Sequence, residues 1–426
     1  MSEHQEPRIV VVGASMGGLR AAEQLRAAGW DGAITVVGEE VHPPYNRPPL
    51  SKELLAHPGS PEDALATVAL RQRPTMETVD WRLGVRVVAS DLQGQTVTLA
   101  SGEQLAYDGL VIASGIRPRR LHVPGPTVGR HVVRTLEDAL GLHRQMRPGA
   151  RVVVVGCGFI GCEVAATARE LGCEVHLVEG SRGPMHRVLG EEVSVIMRDW
   201  LVGRGIQIVT GHSVEEYLTA EGIQDDGGPA LAAGVRLADG TEIQGDVVVE
   251  AVGSVPNTEW LEGNGLDLTD GVVVDDRLRV AGAGHTVALG DIARYQDPWA
   301  EGEMRRVEHW QGAIDMAKTA ARTLVADLTG SEPPAAYAAV PSFWSDQFGI
   351  RIQGIGAPHR ATGLAVLEGS LDAVEDGVVI RYDRDGLAVG VVTIGLPAGR
   401  LVHFRKLLGQ PTPISDRTAE TVGVAS

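Results

Sequence analysis

The chain carries the same dinucleotide-binding pattern twice, and this repeat constrains the fold more than any other feature. The first copy, RIVVVGASMGGLRAAEQL followed by AITVVGEE, lies within residues 8–40. The second copy, RVVVVGCGFIGCEVAATARELG followed by CEVHLVE, covers residues 151–179. Each consists of an apolar strand, a glycine turn, a helix and a second strand with an acidic residue near its end, which is the full βαβ context of this fingerprint. Two copies predict two dinucleotides, and hydride transfer between a nicotinamide and a flavin is the chemistry that they favour.

Composition limits the classes of protein that fit. The chain has 426 residues, of which 43% are hydrophobic, and this is enough for a large core and two or three domains. Its formal net charge of -17 argues against nonspecific nucleic-acid binding, which needs an excess of Lys and Arg. No apolar run approaches the roughly 20 residues of a membrane span, residues 1–10 do not resemble a signal peptide, and the low cysteine content suits a reducing compartment. We therefore expect a cytoplasmic monomer or homodimer without nucleic-acid or membrane partners.

The order of the segments predicts that the second βαβ unit is inserted into the first domain. Residues 83–115 alternate apolar and polar positions around turn pairs, which indicates a β-meander ending in a strand at Leu110–Ala113. This strand and the later segment HTVALGD are both expected to complete the first unit. The predicted class is α/β, with two Rossmann-like domains, the second inserted in the first, and a C-terminal α+β domain. The predicted domains are 1–117 with 251–330, then 118–250, a C-terminal interface domain 331–410, and a disordered tail 411–426.

Seven motifs are spread over nearly the whole chain. They are PYNRPPLSK (44–52), RTLEDA (134–139), GCGFIGCEVA (156–165), VPNTEWL (255–261), LGDIA (289–293), VEHWQGA (307–313) and VPSFWSDQFGIRIQGIG (340–356). Together they resemble the flavin-dependent ferredoxin reductases of bacterial oxygenase and cytochrome P450 systems, the putidaredoxin reductase type. The resemblance implies noncovalently bound FAD in the first domain, NADH or NADPH in the second, and a small iron–sulfur ferredoxin as the one-electron acceptor.

Three positions depart from the family pattern. Ser15 stands at the usual second glycine of the first fingerprint, Ser114 stands where ATG is usual, and Glu250-Ala251 replaces an apolar-glycine pair before Gly253. None of these removes a group that hydride transfer needs, although Glu250 could alter the cofactor environment. The departures leave room for a stand-alone NAD(P)H oxidase or a flavoenzyme acting directly on a small molecule. A redox sensor whose assembly changes on reduction by NADH is a third alternative.

The first fingerprint is interpreted as the FAD site. Gly13, Gly17 and Gly18 would let the FAD pyrophosphate approach the helix N-terminus, where free N–H groups and the helix dipole favour anions. The small side chain of Ser15 could add a hydroxyl donor, and Glu39 would accept hydrogen bonds from the adenosine ribose. The alternative is a glycine-rich turn with a surface acid.

The second fingerprint is interpreted as the nicotinamide dinucleotide site, with Gly156, Gly158 and Gly161 in the equivalent roles. Glu179 lies at the end of the following strand, where a carboxylate binds a 2′-hydroxyl and repels a 2′-phosphate. Arg182 is close by in the sequence and could soften this preference. We therefore expect NADH rather than NADPH as the donor.

Lys52 and Glu163 form the predicted catalytic pair. In the resemblance, the lysine lies beside the isoalloxazine and pairs with the glutamate of the second helix, and a cation near N5 would stabilise the anionic reduced flavin. The alternative is two surface charges, since Lys and Glu are mostly exposed. Trp310 is the third predicted catalytic residue because the family pattern places it near the flavin ring, although a tryptophan is more often part of a core.

The resemblance assigns further residues to the cofactors. Arg47 and Pro48 would lie along the flavin and its phosphates, and Asp291, after Gly290, would bind the ribityl hydroxyls or cap the next helix. Trp344 would line the flavin wall or pack in the third domain. The other predicted cofactor-binding residues are Met16, Val87, Ser114, Gly115, Arg134, Phe159, Ile160, Arg187, Gly253, Glu308 and His309. No metal site is predicted.

Cys157 and Cys162 have a C-x-x-x-x-C spacing, which raises the alternative of a disulfide reductase. Both lie in the second nucleotide-binding turn and helix, on the wrong cofactor domain for that role, and they are interpreted as structural. Without such a relay, electrons would pass one at a time from the reduced flavin to a ferredoxin docked over its edge. Arg305 and Arg306 are the predicted docking residues.

Overall fold

The computed structural model of the chain describes residues 6–220 and 230–410, and the predicted disordered tail 411–426 lies outside these ranges. In chain order, the strands of the described residues are β1 Arg8–Val12, β2 Ala33–Gly38, β3 Asp80–Leu83, β4 Val87–Asp91, β5 Thr96–Leu99, β6 Gln104–Ala106, β7 Gly109–Ile112, β8 Ile116–Pro118, β9 Arg130–His131, β10 Arg151–Val155, β11 Glu174–Glu179, β12 Ile206–Thr210, β13 Val214–Thr219, β14 Ala232–Leu237, β15 Glu242–Gln244, β16 Val247–Glu250, β17 Ser254–Pro256, β18 Val272–Val273, β19 Thr286–Ala288, β20 Ala293–Asp297, β21 Glu303–Arg306, β22 Ser342–Gln347, β23 Ile350–Gly356, β24 Gly363–Glu368, β25 Val378–Arg384 and β26 Leu387–Ile394.

The α-helices of the same ranges are α1 Met16–Ala27, α2 Glu53–Ala56, α3 Pro61–Val68, α4 Leu136–His143, α5 Phe159–Glu170, α6 His186–Gly203, α7 Trp310–Thr329 and α8 Arg400–Phe404. Short 3₁₀ helices cover Pro48–Ser51, Pro74–Thr78, Glu259–Leu261, Gly290–Ile292, Pro298–Ala300, Pro358–Arg360, Leu371–Asp376 and Arg405–Leu407. No helix of the described residues is long and apolar enough to cross a membrane.

The chain divides into two compact units. The described part of the first unit comprises residues 6–46, Thr67–Arg117 and Val255–Pro341. The described part of the second comprises Arg47–Ala66, residues 118–220, 230–254 and 342–410. This division groups residues 47–66 and the C-terminal sheet with the second nucleotide-binding sheet, so it is not the partition predicted from the sequence. The predicted domain boundaries stay a prediction.

The first unit is built on a five-stranded parallel sheet with the strand order β19-β7-β1-β2-β3. Strand β1 has the sequence RIVVV, and Ile9 to Val12 are buried, as expected where a parallel strand is covered on both faces. Val111 of β7 pairs with Val11 on one side and with Val287 on the other. The prediction that both later strands complete the first nucleotide-binding sheet is therefore confirmed.

The second unit contains a parallel sheet with the order β12-β11-β10-β16-β9 and an antiparallel sheet with the order β22-β23-β26-β25-β24. Val153 of β10 pairs with Val248 of β16, and both belong to a buried cluster with Tyr217 and Val235 of the small β13-β14-β15 sheet. The predicted fold class is confirmed: two Rossmann-like sheets are accompanied by a separate C-terminal antiparallel sheet with the short helix α8.

Candidate functional site

The glycine turn between β1 and α1 excludes side chains at two positions. Gly13 has a φ of +119°, and a Cβ there would lie 2.1 Å from the Ala113 carbonyl oxygen. A Cβ on Gly18 would lie 1.8 Å from the Gly13 carbonyl oxygen. The start of α1 therefore packs directly on its own turn, and its first N–H groups and positive dipole end suit an anion such as a pyrophosphate. The other predicted residues of this turn are Ser15, the N-cap of α1, followed by Met16 and Gly17.

Ser114, one of the departures from the family pattern, follows β7 and is bound by the protein itself. Its hydroxyl donates to the Asn257 carbonyl oxygen at 3.0 Å and accepts from Trp260 Nε1 at 3.3 Å. The Asn257 amide donates to the Ser114 carbonyl oxygen at 2.8 Å. The serine hydroxyl therefore supports the loop at the end of β7, and the next predicted residue, Gly115, adopts a left-handed φ of +63°.

Gly290 and Asp291 form a 3₁₀ turn directly after β19. Gly290 has a φ of +74° and its N–H lies 3.3 Å from Met316 Sδ. The Asp291 carbonyl oxygen accepts a hydrogen bond from Arg306 Nη1 at 2.8 Å, which fixes the backbone of this turn. The turns that follow β1 and β7 and the 3₁₀ turn that follows β19 all come directly after parallel strands of one sheet. They therefore lie together at the carboxyl edge of that sheet.

His309, not Asp291, caps the next helix. His309 is the N-cap residue of α7, and its Nδ1 accepts from the Gln311 N–H at 3.3 Å. The capping alternative for Asp291 is therefore wrong. Burial lowers the pKa of His309 to about 4, against a small opposing effect of Asp315, so the imidazole is neutral at pH 7 and can accept that bond. Trp310, a predicted catalytic residue, is the first residue of α7.

Glu39 lies just beyond β2 with its side chain mostly exposed. Its carboxylate is 4.0 Å from Arg86 Nε, and Arg86 precedes Val87, the first residue of β4. The chain at residues 84–85 donates two backbone hydrogen bonds to the end of β2, at 2.9 and 2.8 Å. The structure therefore brings Glu39 and Val87 to neighbouring positions, with Glu39 open to a ligand.

Arg305 and Arg306 are paired with carboxylates of their own chain, which argues against the predicted docking role. The Arg305 guanidinium donates to the fully buried Asp297 carboxylate through Nε at 2.9 Å and through Nη2 at 2.5 Å. The mostly buried Arg306 side chain donates to Asp270 and to Glu308, both at 2.8 Å. Both guanidinium groups are neutralised within the fold, so neither offers a free positive charge to an acidic partner.

The second glycine turn, between β10 and α5, has the same close packing and one open position. A Cβ on Gly156 would lie 2.4 Å from the Ala251 carbonyl oxygen, and one on Gly161 would lie 1.9 Å from the Gly156 carbonyl oxygen. At Gly158, by contrast, no described atom lies within 4 Å of an added Cβ. Neighbouring protein atoms do not require a glycine there, whereas close approach of a dinucleotide phosphate would. The residues present therefore fit the predicted nucleotide.

Glu179 ends β11 and closes this turn. Its carboxylate accepts from the Cys157 N–H at 3.0 Å, and from the N–H and hydroxyl of Ser181 at 2.9 and 2.8 Å. Burial opposes ionisation, but these hydrogen bonds outweigh it and hold the pKa of Glu179 below its usual value. The exposed Arg182 is paired instead with Glu191, at 2.5 Å. An ionised carboxylate therefore stands at the end of β11, the position predicted to contact the adenosine ribose.

The remaining predicted residues of the second unit lie on several different elements. Arg47 begins the 3₁₀ helix at Pro48 and donates to the Arg134 carbonyl oxygen at 2.6 Å, which joins two predicted sites. Trp344 lies on β22, in the C-terminal sheet. The others are Phe159 and Ile160 at the start of α5, Arg187 at the start of α6, and Gly253 after β16.

Lys52 and Glu163 form a buried ion pair. Lys52 Nζ lies 2.9 Å from Glu163 Oε2, and both side chains are largely covered. The Ser51 hydroxyl donates to the same oxygen at 2.5 Å, and the Ser345 hydroxyl donates to Oε1 at 2.7 Å. Thr167, one turn further along α5, donates to the Ser51 carbonyl oxygen at 2.8 Å and so fixes residues 51 and 52 on the helix. The alternative of two surface charges is wrong.

The three cysteines of the chain are free and buried, which argues against a thiol relay. Burial raises the pKa of both Cys157 and Cys162, with further contributions from nearby carboxylates. The Cys157 thiol donates to Glu179 at 3.3 Å and the Cys162 thiol donates to the Cys157 carbonyl oxygen at 3.4 Å. Protonated, covered thiols support the structural interpretation.

Glu250, another departure from the family pattern, is the centre of a buried polar cluster at the end of β16. Its carboxylate accepts from Arg130 at 2.5 Å, from Arg120 at 2.8 Å, from the Tyr217 hydroxyl at 2.7 Å and from the Leu121 N–H at 3.1 Å. Burial opposes its ionisation, but these donors hold the pKa of Glu250 below its usual value. The carboxylate therefore organises the linker and small sheet around it.

Sequence reasoning did not single out Ser51, Ser345, Asn257 or Trp260 as site residues. All four lie inside motifs of the sequence: Ser51 precedes Lys52, Ser345 follows Trp344, and Asn257 and Trp260 belong to VPNTEWL. A hydroxyl one or two residues from a predicted functional side chain was the available signal. Without the fold, nothing shows that the Ser51 and Ser345 hydroxyls meet on one carboxylate.

Two glycine turns of this kind in one chain, each followed by a strand that ends near an acid, define an oxidoreductase class that uses FAD and a nicotinamide dinucleotide. The chain belongs to the pyridine nucleotide-disulphide oxidoreductase family: the family's sequence model matches residues 7–317, and a reductase C-terminal model matches residues 342–422.

Named relatives cover almost the full chain. The chain is 37% identical over 404 residues to the ferredoxin–NAD(+) reductase component of the p-cumate 2,3-dioxygenase system of Pseudomonas putida, covering 93% of this chain and 92% of that protein. It is 36% identical over 417 residues to rhodocoxin reductase of Rhodococcus erythropolis, covering 96% and 91%. One chain of the crystal structure of the covalent putidaredoxin reductase–putidaredoxin complex matches with a TM-score of 0.84 at 30% identity, covering 95% of this chain and 93% of that chain. The predicted family is confirmed.

Proposed function

We propose that this chain is an NADH-dependent flavoprotein reductase that passes electrons from NADH through FAD to a ferredoxin serving an oxygenase or cytochrome P450. The observation that carries the proposal is the combination of two dinucleotide turns with a buried Lys52–Glu163 pair and three covered, protonated cysteines. With no thiol relay, electrons received by the flavin have to leave it directly. The relatives named as reductase components of oxygenase systems support a ferredoxin as the acceptor.

NADH is the proposed donor because of Glu179. The ionised carboxylate at the end of β11 would accept hydrogen bonds from a 2′-hydroxyl and repel a 2′-phosphate. Arg182, the nearby residue that could attract a phosphate, is paired with Glu191. The FAD turn at Gly13 to Gly18, with Glu39 beyond β2, would hold the resident flavin nucleotide.

Lys52 is the proposed electrostatic catalyst. When bound, FAD would accept a hydride from NADH and release two electrons and a proton. A positive charge beside the flavin stabilises the negative charge that this hydride brings. The Glu163 carboxylate, which accepts three hydrogen bonds, holds the Lys52 ammonium in a fixed position, and no protein acid or base is required for the hydride step.

The test is stopped-flow reduction of the FAD-loaded protein, followed by acceptor titration. We expect rapid reduction of the flavin absorbance by NADH, much slower reduction by NADPH, and turnover with putidaredoxin or another [2Fe–2S] ferredoxin as a one-electron acceptor. Lys52→Met should slow flavin reduction by NADH about 100-fold, since electrostatic groups at developing charge contribute about 3 kcal/mol.

Other outcomes identify the alternatives. Fast O₂ consumption by NADH without any acceptor protein would indicate a stand-alone oxidase. A long-lived reduced protein with altered sedimentation and no transfer to any ferredoxin would indicate a redox sensor. Failure to bind FAD would contradict the proposal in every form.

A further inference from the structure

Strand β22 of the C-terminal sheet runs alongside helix α5 within the second unit. Side chains alternate along a strand, so Phe343, Ser345 and Gln347 lie on one face of β22. Residues four apart share one face of a helix, so Phe159 and Glu163 lie together on α5. The two faces contact each other in register: Phe343 lies against Phe159, and Ser345 lies against Glu163.

The aromatic contact shows how closely the two elements approach. The Phe343 and Phe159 rings have their centroids 5.2 Å apart with an interplanar angle of 31°. Gly354, the cross-strand partner of Phe343, makes this possible, because a Cβ there would lie 2.2 Å from the Phe343 ring. Phe159 directly follows Gly158, so this contact fixes β22 against the nucleotide turn.

The polar contact is one step further along both elements. Ser345 is fully buried, and its hydroxyl donates to Glu163 Oε1 at 2.7 Å. That hydroxyl in turn accepts from the buried Gln347 amide at 3.1 Å, and the same amide lies 3.4 Å from Met185 Sδ. A directed chain of donors therefore runs from Gln347 through Ser345 to the carboxylate that holds Lys52.

We propose that Ser345, oriented by Gln347, is a positioning residue of the C-terminal domain that sets how strongly Glu163 neutralises the Lys52 ammonium. The inference rests on the proposed flavin reductase function. Glu163 divides its negative charge among the three donors Lys52, Ser51 and Ser345. Each hydroxyl donor offsets part of the negative charge of Glu163, so the carboxylate cancels less of the positive potential of Lys52. More of that positive potential then acts on the reduced flavin.

Removal of one donor should therefore have a defined sign. In Ser345→Ala, Glu163 would draw more fully on Lys52, the positive potential beyond the ammonium would fall, and the anionic reduced flavin would lose stabilisation. A hydrogen bond to a charged group corresponds to about a tenfold change in an equilibrium constant. The Ser345–Glu163 bond exists with oxidised and with reduced flavin, so a tenfold change is the upper limit of its effect on reduction. For a two-electron couple, a tenfold change equals about 30 mV, so the flavin midpoint potential should become more negative by up to about 30 mV.

The experiment measures the flavin midpoint potential by dye-coupled reductive titration of the full FAD-loaded chain. Ser345→Ala is the main variant, and Ser345→Thr restores a hydroxyl at the same position. Gln347→Met removes the donor behind Ser345 and should shift the potential in the same direction by a smaller amount. Ser342→Ala is the matched control because it removes one hydroxyl from the same strand on the opposite face.

Kinetics with NADH provide the second readout. We expect Ser345→Ala to lower the rate constant of flavin reduction about threefold to tenfold while the KM for NADH stays within twofold, and Ser345→Thr to recover at least half of the lost rate. Thermal melts of all four variants identify any that are misfolded, and Gln347→Met then carries the test if Ser345→Ala is unfolded.

A midpoint potential of Ser345→Ala equal to that of Ser342→Ala, or one that moves in the positive direction, would overturn the inference. These outcomes are separable from failure of the proposed function. If the wild-type flavin is not reduced by NADH at all, the proposed function is wrong. If it is reduced normally and Ser345→Ala has the wild-type potential, only the positioning role is wrong.

Discussion

Replacement of Glu250 by glutamine should destabilise the second unit by about 3 kcal/mol, because the change leaves a buried cation without its counter-charge. Glu250 is 2% exposed, and the Arg130 side chain that it binds is 6% exposed. Arg130 also stacks on the Tyr217 ring, with its guanidinium carbon 4.1 Å from the ring centroid. The arginine therefore cannot move into water without leaving a second contact.

The size of this loss in stability can be estimated by comparing Arg130 and Arg120, the two arginines that bind the Glu250 carboxylate. Breaking a buried pair by removal of one partner costs about 3–5 kcal/mol, and glutamine retains part of the hydrogen bonding, which places Glu250→Gln at the lower end. The Arg120 side chain is 43% exposed, so loss of its charge in Arg120→Met should cost about 1 kcal/mol or less. The expected ratio between the two effects is therefore about three.

The assay is urea unfolding of wild type, Glu250→Gln, Arg130→Met, the double variant and Arg120→Met, followed by far-UV circular dichroism. The double variant removes both charges together, so its loss should be smaller than the sum of the single losses by about 2 kcal/mol. In thermal melts, a loss of 3 kcal/mol corresponds to roughly 6–12 °C for a unit of this size.

Two results would refute this reasoning. One is a Glu250→Gln variant whose stability lies within about 0.5 kcal/mol of wild type, the range of ordinary surface substitutions. The other is strict additivity of Glu250→Gln and Arg130→Met, since it would show that the two side chains do not depend on one another.

Three further predictions follow from single contacts. Glu179→Ser should raise the preference for NADPH over NADH about 10-fold or more in kcat/KM, because the repulsive carboxylate is lost, and unchanged ratios in steady-state assays would contradict it. Arg305→Glu should lower the melting temperature, because it sets a second carboxylate against the buried Asp297, and an acceptor KM effect with wild-type melting would count against this. The pKa of His309 is about 4 in the folded chain and about 6.5 in the unfolded chain. The stability associated with its neutral form is therefore complete above pH 6.5 and is lost as the pH falls towards 4. Over that range, urea titrations should show that wild type loses about 2 kcal/mol more stability than His309→Asn.

The nucleotide-binding sheets could be predicted from the sequence because their signals are local. A run such as RIVVV followed by a glycine turn fixes a strand, a turn with positive φ at Gly13 and a helix start within about ten residues. The insertion of the second sheet could also be predicted, because the second βαβ unit lies in the sequence between the strands near residues 111 and 287. Strand alternation and glycine placement carried these conclusions.

The contacts that determine the role of individual side chains could not be predicted from the sequence in the same way. Arg305 and Arg306 look like a basic patch in the sequence, yet Asp297 and Asp270 lie 8 and 36 residues away and neutralise them inside the fold. Ser345 and Glu163 are 182 residues apart. Such pairings depend on how strands and helices pack, and a single sequence does not show which distant residues lie close together in space.

The packing of β22 on α5 has a consequence for the construction of hybrid reductases. A protein engineer who exchanges the C-terminal segment after residue 341 replaces both the ring that rests on Phe159 and the hydroxyl that Glu163 accepts from. A foreign strand with a different residue opposite Gly354 would lose the contact with Phe159, and one without a hydroxyl two residues later would leave the Glu163 carboxylate one donor short. The helix and the strand should therefore be transplanted as one cassette, and a chimera that joins them from two parents needs compensating changes at residues 159, 163, 343, 345 and 354.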